Sequence, residues 1–135
     1  KHEIADRLAS HPRAFLLPYE SSRESFATLL ASADVYITAG PHETFGLSVV
    51  EAQACGLPVV GVNEGALTER VHEGIGRLGP PSDGVAMAGN IEEILPQLDE
   101  MKTAARHHVV SEGYGWDSSF KKLLDCYQAA FNPPA

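Results

Sequence analysis

Three short apolar runs, separated by stretches with helical spacing, constrain the fold of this 135-residue chain most strongly. They occupy residues 14–17, 35–38 and 59–62. The runs are apolar almost throughout rather than alternating, which is typical of strands buried on both faces of a parallel sheet. The helical stretches between them can supply the crossovers that parallel strands need. The pattern predicts an α/β fold in which helices cover both faces of a parallel sheet.

The segment from residue 41 to residue 60 contains the strongest local signals. Gly40 and Pro41 end the second apolar run, Thr44 is a candidate helix cap, and Gly56 is a candidate stop before the third strand. These signals predict a loop, a helix and a strand in that order. The candidate caps of other predicted helices are Ser21 or Ser22, Asp83, and Asp117 or Ser118.

Two carboxylates stand in this segment, Glu43 in the loop and Glu51 in the helix. From Thr44 to Asn63, Glu51 is the only charged residue. A carboxylate on a mostly buried helix costs free energy unless it is hydrogen-bonded. We therefore expect Glu51 to face a polar partner, a crevice or a ligand.

The predicted helix start lies between the two carboxylates. Backbone N–H groups at a helix start lack acceptors within the helix and favour anions, and here they belong to Phe45, Gly46 and Leu47. Gly46, which has no Cβ, is expected to let a ligand approach the backbone closely. Acceptors for hydroxyl groups therefore stand beside donors for phosphate, which is the combination that a nucleotide sugar requires.

The same residues resemble a family signature. Residues 43–52, Glu-Thr-Phe-Gly-Leu-Ser-Val-Val-Glu-Ala, resemble the signature of the retaining group 1 glycosyltransferases, family 4, of the GT-B fold. Residues 33–37 before it, and residues 54–60, Glu64-Gly65 and Glu69 after it, resemble the same family's nucleotide-sugar-binding C-terminal domain. The similarity extends from about residue 16 to residue 127 and implies a Rossmann-like sheet.

The resemblance implies a role for each residue of the signature. Glu43 is the expected catalytic residue, which would hold hexose hydroxyls and stabilise charge at the transferring carbon. Glu51 is expected to bind the ribose. The loop after the third strand lies where open α/β sheets bind ligands and is a candidate donor loop. The expected contacts to donor sugar and phosphate are His42, Thr44, Phe45, Gly46 and Leu47, and the donor-loop candidates are Asn63, Glu64 and Gly65.

The activity that the resemblance implies is transfer of a hexose, with retention, from a nucleotide diphosphate sugar of the GDP-mannose or UDP-glucose type to an acceptor. No cofactor and no metal are expected, and the sequence has no Asp-x-Asp motif. Two alternatives stay open. One is a sugar-nucleotide epimerase or phosphorylase on the same GT-B scaffold, and the other is a non-catalytic nucleotide-binding or interaction module.

Compared with the family, residues 1–135 correspond to a single partial donor-binding domain, the C-terminal half of the GT-B fold, ending in a helix over residues 117–131. The first two strands, a Gly-Arg and a Lys on the donor diphosphate, and the N-terminal acceptor-binding domain have no counterpart here. Alone, the chain is expected to be inactive. We also expect the runs 14–17 and 35–38 either to pair directly or to leave a gap that another molecule fills through self-association.

Composition argues against several other classes of protein. The formal net charge of −8 provides no basic surface for nucleic acid. No apolar run approaches 18 residues and no signal-peptide pattern opens the chain, so no transmembrane segment is expected. Cys55 and Cys126 lack metal-ligand spacing, and His107 and His108, which diverge by about 100° on a helix, are expected on a solvated face. We expect a cytoplasmic protein, peripheral to the inner membrane if its acceptor is a lipid.

Overall fold

The computed structural model describes residues 6–8 and 10–131. Strand and helix alternate along most of the chain, as the apolar runs predict. Whatever the sequence predicts for residues 1–5, 9 and 132–135 lies outside the described residues. The elements are α1 (Arg23–Ala31), β1 (Tyr36–Thr38), α2 (Leu47–Ala54), β2 (Val59–Val62), α3 (Leu67–Arg70), β3 (Gly76–Gly79), α4 (Gly84–Ile94), a 3₁₀ turn (Leu95–Gln97), α5 (Leu98–Glu112) and α6 (Trp116–Phe131).

The described strands form one parallel sheet in the order β1-β2-β3. Tyr36 of β1 pairs with Val59 of β2, and Val59 pairs in turn with Gly76 of β3. All four residues of the central strand β2 are buried. The structure thus confirms a parallel sheet with a strand buried on both faces, as the continuous apolar run at 59–62 predicts.

Apolar clusters bury both faces of β2. Val59 belongs to a cluster that includes Val49 of α2 and Leu67 of α3. Val60 belongs to a second cluster with Ile94 of α4 and Met101 of α5. Successive residues of a strand point to opposite faces. Val59 and Val60 therefore pack against helices on opposite sides of the sheet.

The end of α2 follows its sequence signal closely. Gly56 has a φ of +84°, which glycine adopts without steric cost. Its N–H donates to the carbonyl of Gln53 at 2.9 Å, and the N–H of Leu57 donates to the carbonyl of Ala52 at 3.0 Å. This pair of bonds is a Schellman motif, which ends the helix and directs the chain into β2.

Of the N-terminal caps predicted outside the segment 41–60, two are confirmed and one is wrong. The Ser22 hydroxyl caps α1, and the Asp83 carboxylate accepts two backbone N–H bonds at the start of α4. The proposed caps Asp117 and Ser118 lie inside α6, because that helix already begins at Trp116. The predicted terminal helix is otherwise present.

Residues 14–17 do not form a strand, contrary to prediction. Phe15 and Leu16 are 81% and 70% exposed, and within the described residues only one edge of β1 is paired. A strand is stabilised by hydrogen bonds to a neighbouring strand, and this run has none. Direct pairing of residues 14–17 with residues 35–38 is therefore wrong. That another molecule occupies the open edge of β1 stays a prediction.

The terminal helix α6 carries an exposed apolar stripe. No residue of this helix is buried. The large apolar residues of this helix recur at helical spacing and therefore lie on one face. They are Trp116, Phe120, Leu123, Leu124, Tyr127 and Phe131. Neither α6 nor any other helix in the described part of the chain has the length and hydropathy needed to cross a bilayer.

Candidate functional site

Glu43 is half-buried in the loop before α2, and its carboxylate turns back towards the start of that helix. Its Oε1 accepts a hydrogen bond from the N–H of Gly46 at 2.9 Å. Its backbone carbonyl accepts a second bond from the N–H of Ala66 at 3.0 Å. Side chain and backbone are both anchored, so the carboxylate is fixed relative to α2.

Gly46 is the residue from which α2 starts, with a left-handed backbone at φ +82° and ψ 40°. Residues with a Cβ rarely adopt this conformation. A Cβ at this position would lie 3.6 Å from Cγ of Arg70 and 3.7 Å from Cγ of Glu43, which are ordinary contact distances, so the backbone conformation rather than a lack of space favours glycine here. The prediction that Thr44 caps the helix is wrong, because the glycine turn delays the helix to Leu47.

The unpaired donors of the helix start lie later in the chain than predicted. The first bond within α2 joins the N–H of Val50 to the carbonyl of Gly46. The N–H groups of Leu47, Ser48 and Val49 therefore have no acceptor inside the helix. The Gly46 N–H already donates to Oε1 of Glu43, and that it also contacts a ligand stays a prediction. Leu47 stays a candidate, and Ser48 is one that sequence reasoning did not single out.

Glu51 is exposed, although the residues on either side of it are buried. It lines a cleft of about 540 Å³ together with residues 17–23, Phe26 and Leu29. The prediction that Glu51 faces a crevice is therefore confirmed. Glu51 follows Leu47 by four positions, so both lie on one face of α2, about 6 Å apart along the helix axis.

The loop after β2 packs directly against the loop that carries Glu43. Gly65 has a φ of +57°, and a Cβ there would lie 2.8 Å from the carbonyl oxygen of Glu43 and 3.2 Å from that of Pro41. Only glycine fits so close to a neighbouring backbone. The structure thus brings Gly65 and Ala66 against the loop of residues 41–46, the signature loop. That the loop after β2 binds a donor stays a prediction.

Three further predicted contact residues, His42, Thr44 and Phe45, are exposed on the signature loop. The side chain of Phe45 is 44% exposed, although one of its faces is covered by Arg70. Their exposure leaves them accessible to a ligand at the start of α2. Their roles in binding stay predictions.

Arg70, which sequence reasoning did not single out, holds the signature loop. Its Nε donates to the carbonyl of Phe45 at 3.1 Å. Its guanidinium carbon lies 4.6 Å from the ring centroid of Phe45 and 5.3 Å from that of Tyr114. One signal was present in the sequence: no Lys or Arg stands between Arg23 and Arg70. The first basic residue after the signature is the one that contacts it.

A larger groove, of about 800 Å³, lies away from these loops, between residues 72–75 and α5. There Nε2 of His72 lies 3.5 Å from Nδ1 of His108, with the ring planes at 83°. Burial, and then the nearby His72, lower the pKa of His108. The expectation that His108 lies on a solvated face is wrong, because the ring packs against His72. The adjacent His107 is exposed, as expected.

The family described as "Glycosyl transferases group 1" matches residues 2–108. The chain belongs to the group 1 glycosyltransferases. The match covers Glu43, Glu51 and the loop after β2, and it confirms the resemblance seen in residues 43–52.

Curated relatives of this group 1 glycosyltransferase chain are longer than the chain itself. D-inositol 3-phosphate glycosyltransferase of Mycobacterium avium (strain 104) is 34% identical over 132 residues, which are 94% of this chain and 30% of the relative. The protein of the same name from Mycobacterium tuberculosis (strain F11) is 35% identical over 133 residues, 94% of this chain and 27% of the relative. The chain thus spans less than a third of these relatives.

Solved structures give the same fold. Sucrose-phosphate synthase from Thermosynechococcus elongatus matches with a TM-score of 0.83 and 26% identity, over 96% of this chain and 34% of its own. Anabaena Alr3699/HepE in complex with UDP-glucose matches with a TM-score of 0.76 and 22% identity, over 95% of this chain and 35% of its own. The chain therefore has the Rossmann-like α/β fold of GT-B glycosyltransferases.

Proposed function

We propose that the chain is the donor-binding domain of a retaining glycosyltransferase, which transfers a hexose from a nucleotide diphosphate sugar of the GDP-mannose or UDP-glucose type to an acceptor. The observation that carries this proposal is the Glu43 carboxylate, held 2.9 Å from the N–H of Gly46 beside a helix start with unpaired N–H groups. Membership of the group 1 family supports it, as do the glycosyltransferase names of the curated relatives.

In this proposal Glu43 acts on the sugar. The bond from Gly46 uses Oε1, which leaves Oε2 for the hexose hydroxyls. The carboxylate then stabilises the positive charge that develops at the transferring carbon. Because it is already anchored before the reaction, no reorganisation is needed when that charge appears. In the same proposal, the sugar is also contacted by the exposed residues of this loop, His42, Thr44 and Phe45.

The phosphates, the ribose and the base of the donor lie along the surface of α2 in this proposal. The N–H groups of Leu47 and Ser48 bind phosphate oxygens at the positive end of the helix. Glu51, about 6 Å further along the same face, accepts hydrogen bonds from the ribose. The cleft beside Glu51 holds the base, and residues 63–65 flank the sugar. Two fold relatives solved with UDP-glucose and with UDP and GlcNAc support this class of donor.

We also propose that a longer protein supplies the acceptor-binding domain and the strands beside β1. The chain spans less than a third of its curated relatives. One edge of β1 is unpaired within the described residues, and the apolar stripe of α6 is exposed there. Contiguous exposed apolar surface of this kind marks an interaction site. We place the complete enzyme in the cytoplasm, peripheral to the inner membrane if its acceptor is a lipid.

Replacement of Glu43 by Gln in the complete protein tests the catalytic role. Gln keeps the shape of the side chain and can still accept the Gly46 bond, but it lacks the negative charge. We expect kcat for sugar transfer to fall by about 10²-fold or more, measured as release of nucleoside diphosphate and formation of glycoside. The control Glu92→Gln, at an exposed position of α4, should keep wild-type kcat. Activity of Glu43→Gln within about threefold of wild type would remove Glu43 from the mechanism.

The products distinguish the remaining classes of enzyme. A glycoside together with nucleoside diphosphate supports the proposal. An altered sugar nucleotide would identify an epimerase, and a sugar phosphate would identify a phosphorylase. Binding of a nucleotide sugar without any turnover would support the alternative that the protein is a non-catalytic nucleotide-binding module.

A further inference from the structure

Charged side chains hold both ends of the peptide group that joins Phe45 to Gly46. Its carbonyl accepts a hydrogen bond from Nε of Arg70 at 3.1 Å. Its N–H donates to Oε1 of Glu43 at 2.9 Å. A cation at the carbonyl and an anion at the N–H polarise the peptide in the same direction, so each bond strengthens the other.

Arg70 is itself held in place. Its guanidinium lies 4.6 Å from the ring centroid of Phe45 and 5.3 Å from that of Tyr114, and the two rings are 6.4 Å apart in an edge-to-face arrangement. The backbone carbonyl of Arg70 accepts a bond from Nε2 of Gln53 at 2.8 Å, and Gln53 is fully buried. The Arg70 side chain is only 15% exposed. Both ends of the residue are therefore fixed.

We propose that Arg70 is a positioning residue for Glu43. Through the shared peptide, it fixes the orientation of the carboxylate that faces the sugar. The effect on catalysis rests on the proposed function, whereas the contacts of Arg70 do not depend on it. Glu69, whose carboxylate lies 3.7 Å from Arg70, is 75% exposed. Such a surface pair contributes little, so the carbonyl of Phe45 and the two rings are the main partners.

The chemistry of arginine fits this task better than that of lysine. A planar guanidinium can contact two aromatic rings and, at the same time, donate from Nε in a fixed direction. A lysine ammonium would keep the charge without this planar geometry. Arg70 stands 25 residues after Phe45 in the chain. It therefore couples the end of α3 and the link between α5 and α6 to the signature loop.

Three variants of the complete protein test the inference. Arg70→Lys keeps the charge and loses the Nε donor, and Arg70→Met keeps only the aliphatic packing. Arg77→Met is the matched control. Arg77 is also an arginine with a largely covered side chain, 23% exposed, and it donates to a backbone carbonyl, that of Gly76, at 3.0 Å. It stands near the amino end of β3, away from the signature loop.

We expect kcat to fall about tenfold to a hundredfold in both Arg70 variants, because a small displacement of a catalytic group has an effect of this order. KM for the donor should change by less than about threefold, since the donor's binding groups on α2 remain. Arg77→Met should keep wild-type kcat. Wild-type kcat in Arg70→Lys, or an equal loss in Arg77→Met, would overturn the inference.

Amide hydrogen exchange gives a readout that does not depend on activity. Exchange over residues 43–47 should become about tenfold faster in both Arg70 variants, because the Gly46 N–H loses a fixed acceptor. It should stay unchanged in Arg77→Met. If the wild-type protein transfers no sugar, the proposed function fails, while faster exchange still supports the positioning of Glu43 by Arg70. Unchanged exchange in both Arg70 variants overturns that positioning, whatever the activity.

Discussion

The left-handed backbone of Gly46 and its hydrogen bond to Glu43 together set the geometry of the site. Its φ of +82° sets the direction in which α2 leaves the loop, and the bond of 2.9 Å from its N–H to Oε1 of Glu43 holds that carboxylate at the helix start. A residue with a Cβ prefers negative φ, which would rotate α2 relative to the loop that carries Glu43. The geometry of the site thus depends on the absence of one side chain.

Replacement of Gly46 by Ala should lower the free energy of unfolding by about 1–2 kcal/mol, the cost of a left-handed backbone at a residue with a Cβ. Gly89→Ala is the matched control, since Gly89 lies within α4 and a Cβ there meets no atom within 4 Å. That change should raise the free energy of unfolding by about 0.5–1 kcal/mol. Urea denaturation of both variants measures the difference. Equal effects at the two positions would contradict the role given to Gly46.

At the residue scale, isolated charges were predictable from the sequence and their contacts were not. Glu51 stands out as the only charged residue from Thr44 to Asn63, and Glu43 stands out by its place in the loop before the predicted helix start. The structure places Glu43 at the start of α2 and Glu51 on the exposed face of that helix. Thr44 was favoured as a cap by residue preference, whereas a left-handed glycine sets the start of the helix. Arg70 was not found because its contact with Phe45 spans 25 residues, and no local pattern encodes it.

At the element scale, α5 meets the link between α3 and β3 through a histidine pair. His108 of α5 is half-buried and packs edge-to-face on His72, with the ring centroids 4.8 Å apart. Burial first, and then the charge of His72, lower the pKa of His108 below its ordinary value of 6.5. Protonation of His108 is therefore less favourable in the folded chain than in the unfolded chain.

This lowered pKa predicts how stability depends on pH. Below about pH 6.5 the unfolded chain binds a proton at His108 while the folded chain resists it, so the free energy of unfolding should fall as the pH drops from 7 towards 5. His108→Asn should make that slope shallower than in the wild type. Urea denaturation across this pH range measures both slopes. The same slope in His108→Asn and wild type would contradict this account.

Elements that depend on local chemistry were predictable, and one that depends on a missing partner was not. The run Val59–Val62 forms the central strand, and Gly56 and Asp83 act as the helix signals that their positions indicate. Residues 14–17 are equally apolar and yet form no strand. A strand requires a neighbouring strand for its backbone bonds, and within the described residues this run has none.

At the scale of the whole molecule, two exposed surfaces remain without a partner in the described chain. They are the outer edge of β1 and the apolar stripe of α6. Within the proposed function, a longer protein covers both. Without that cover, apolar surface of this kind favours association with other molecules.

The chain produced by itself should therefore self-associate through α6. Replacement of both Leu123 and Leu124 by Gln removes two exposed apolar side chains from the stripe. It should raise the dissociation constant of the self-associated form by about tenfold or more. Lys121→Gln, at an exposed position of the same helix, serves as control and should have little effect. Sedimentation velocity measures the change. A monomeric chain, or association that the double variant does not weaken, would contradict the prediction.

The central claim is that α2 and its loops bind a nucleotide sugar, and a titration of the complete protein tests it most directly. GDP-mannose, UDP-glucose, UDP-N-acetylglucosamine and free mannose would each be titrated by ligand-observed NMR, with wild type and with Glu51→Ala. We expect binding to require the nucleotide and to weaken about tenfold or more in Glu51→Ala, because a hydrogen bond to a charged group is lost. Absence of binding for every nucleotide sugar, or binding that Glu51→Ala leaves unchanged, would contradict the account.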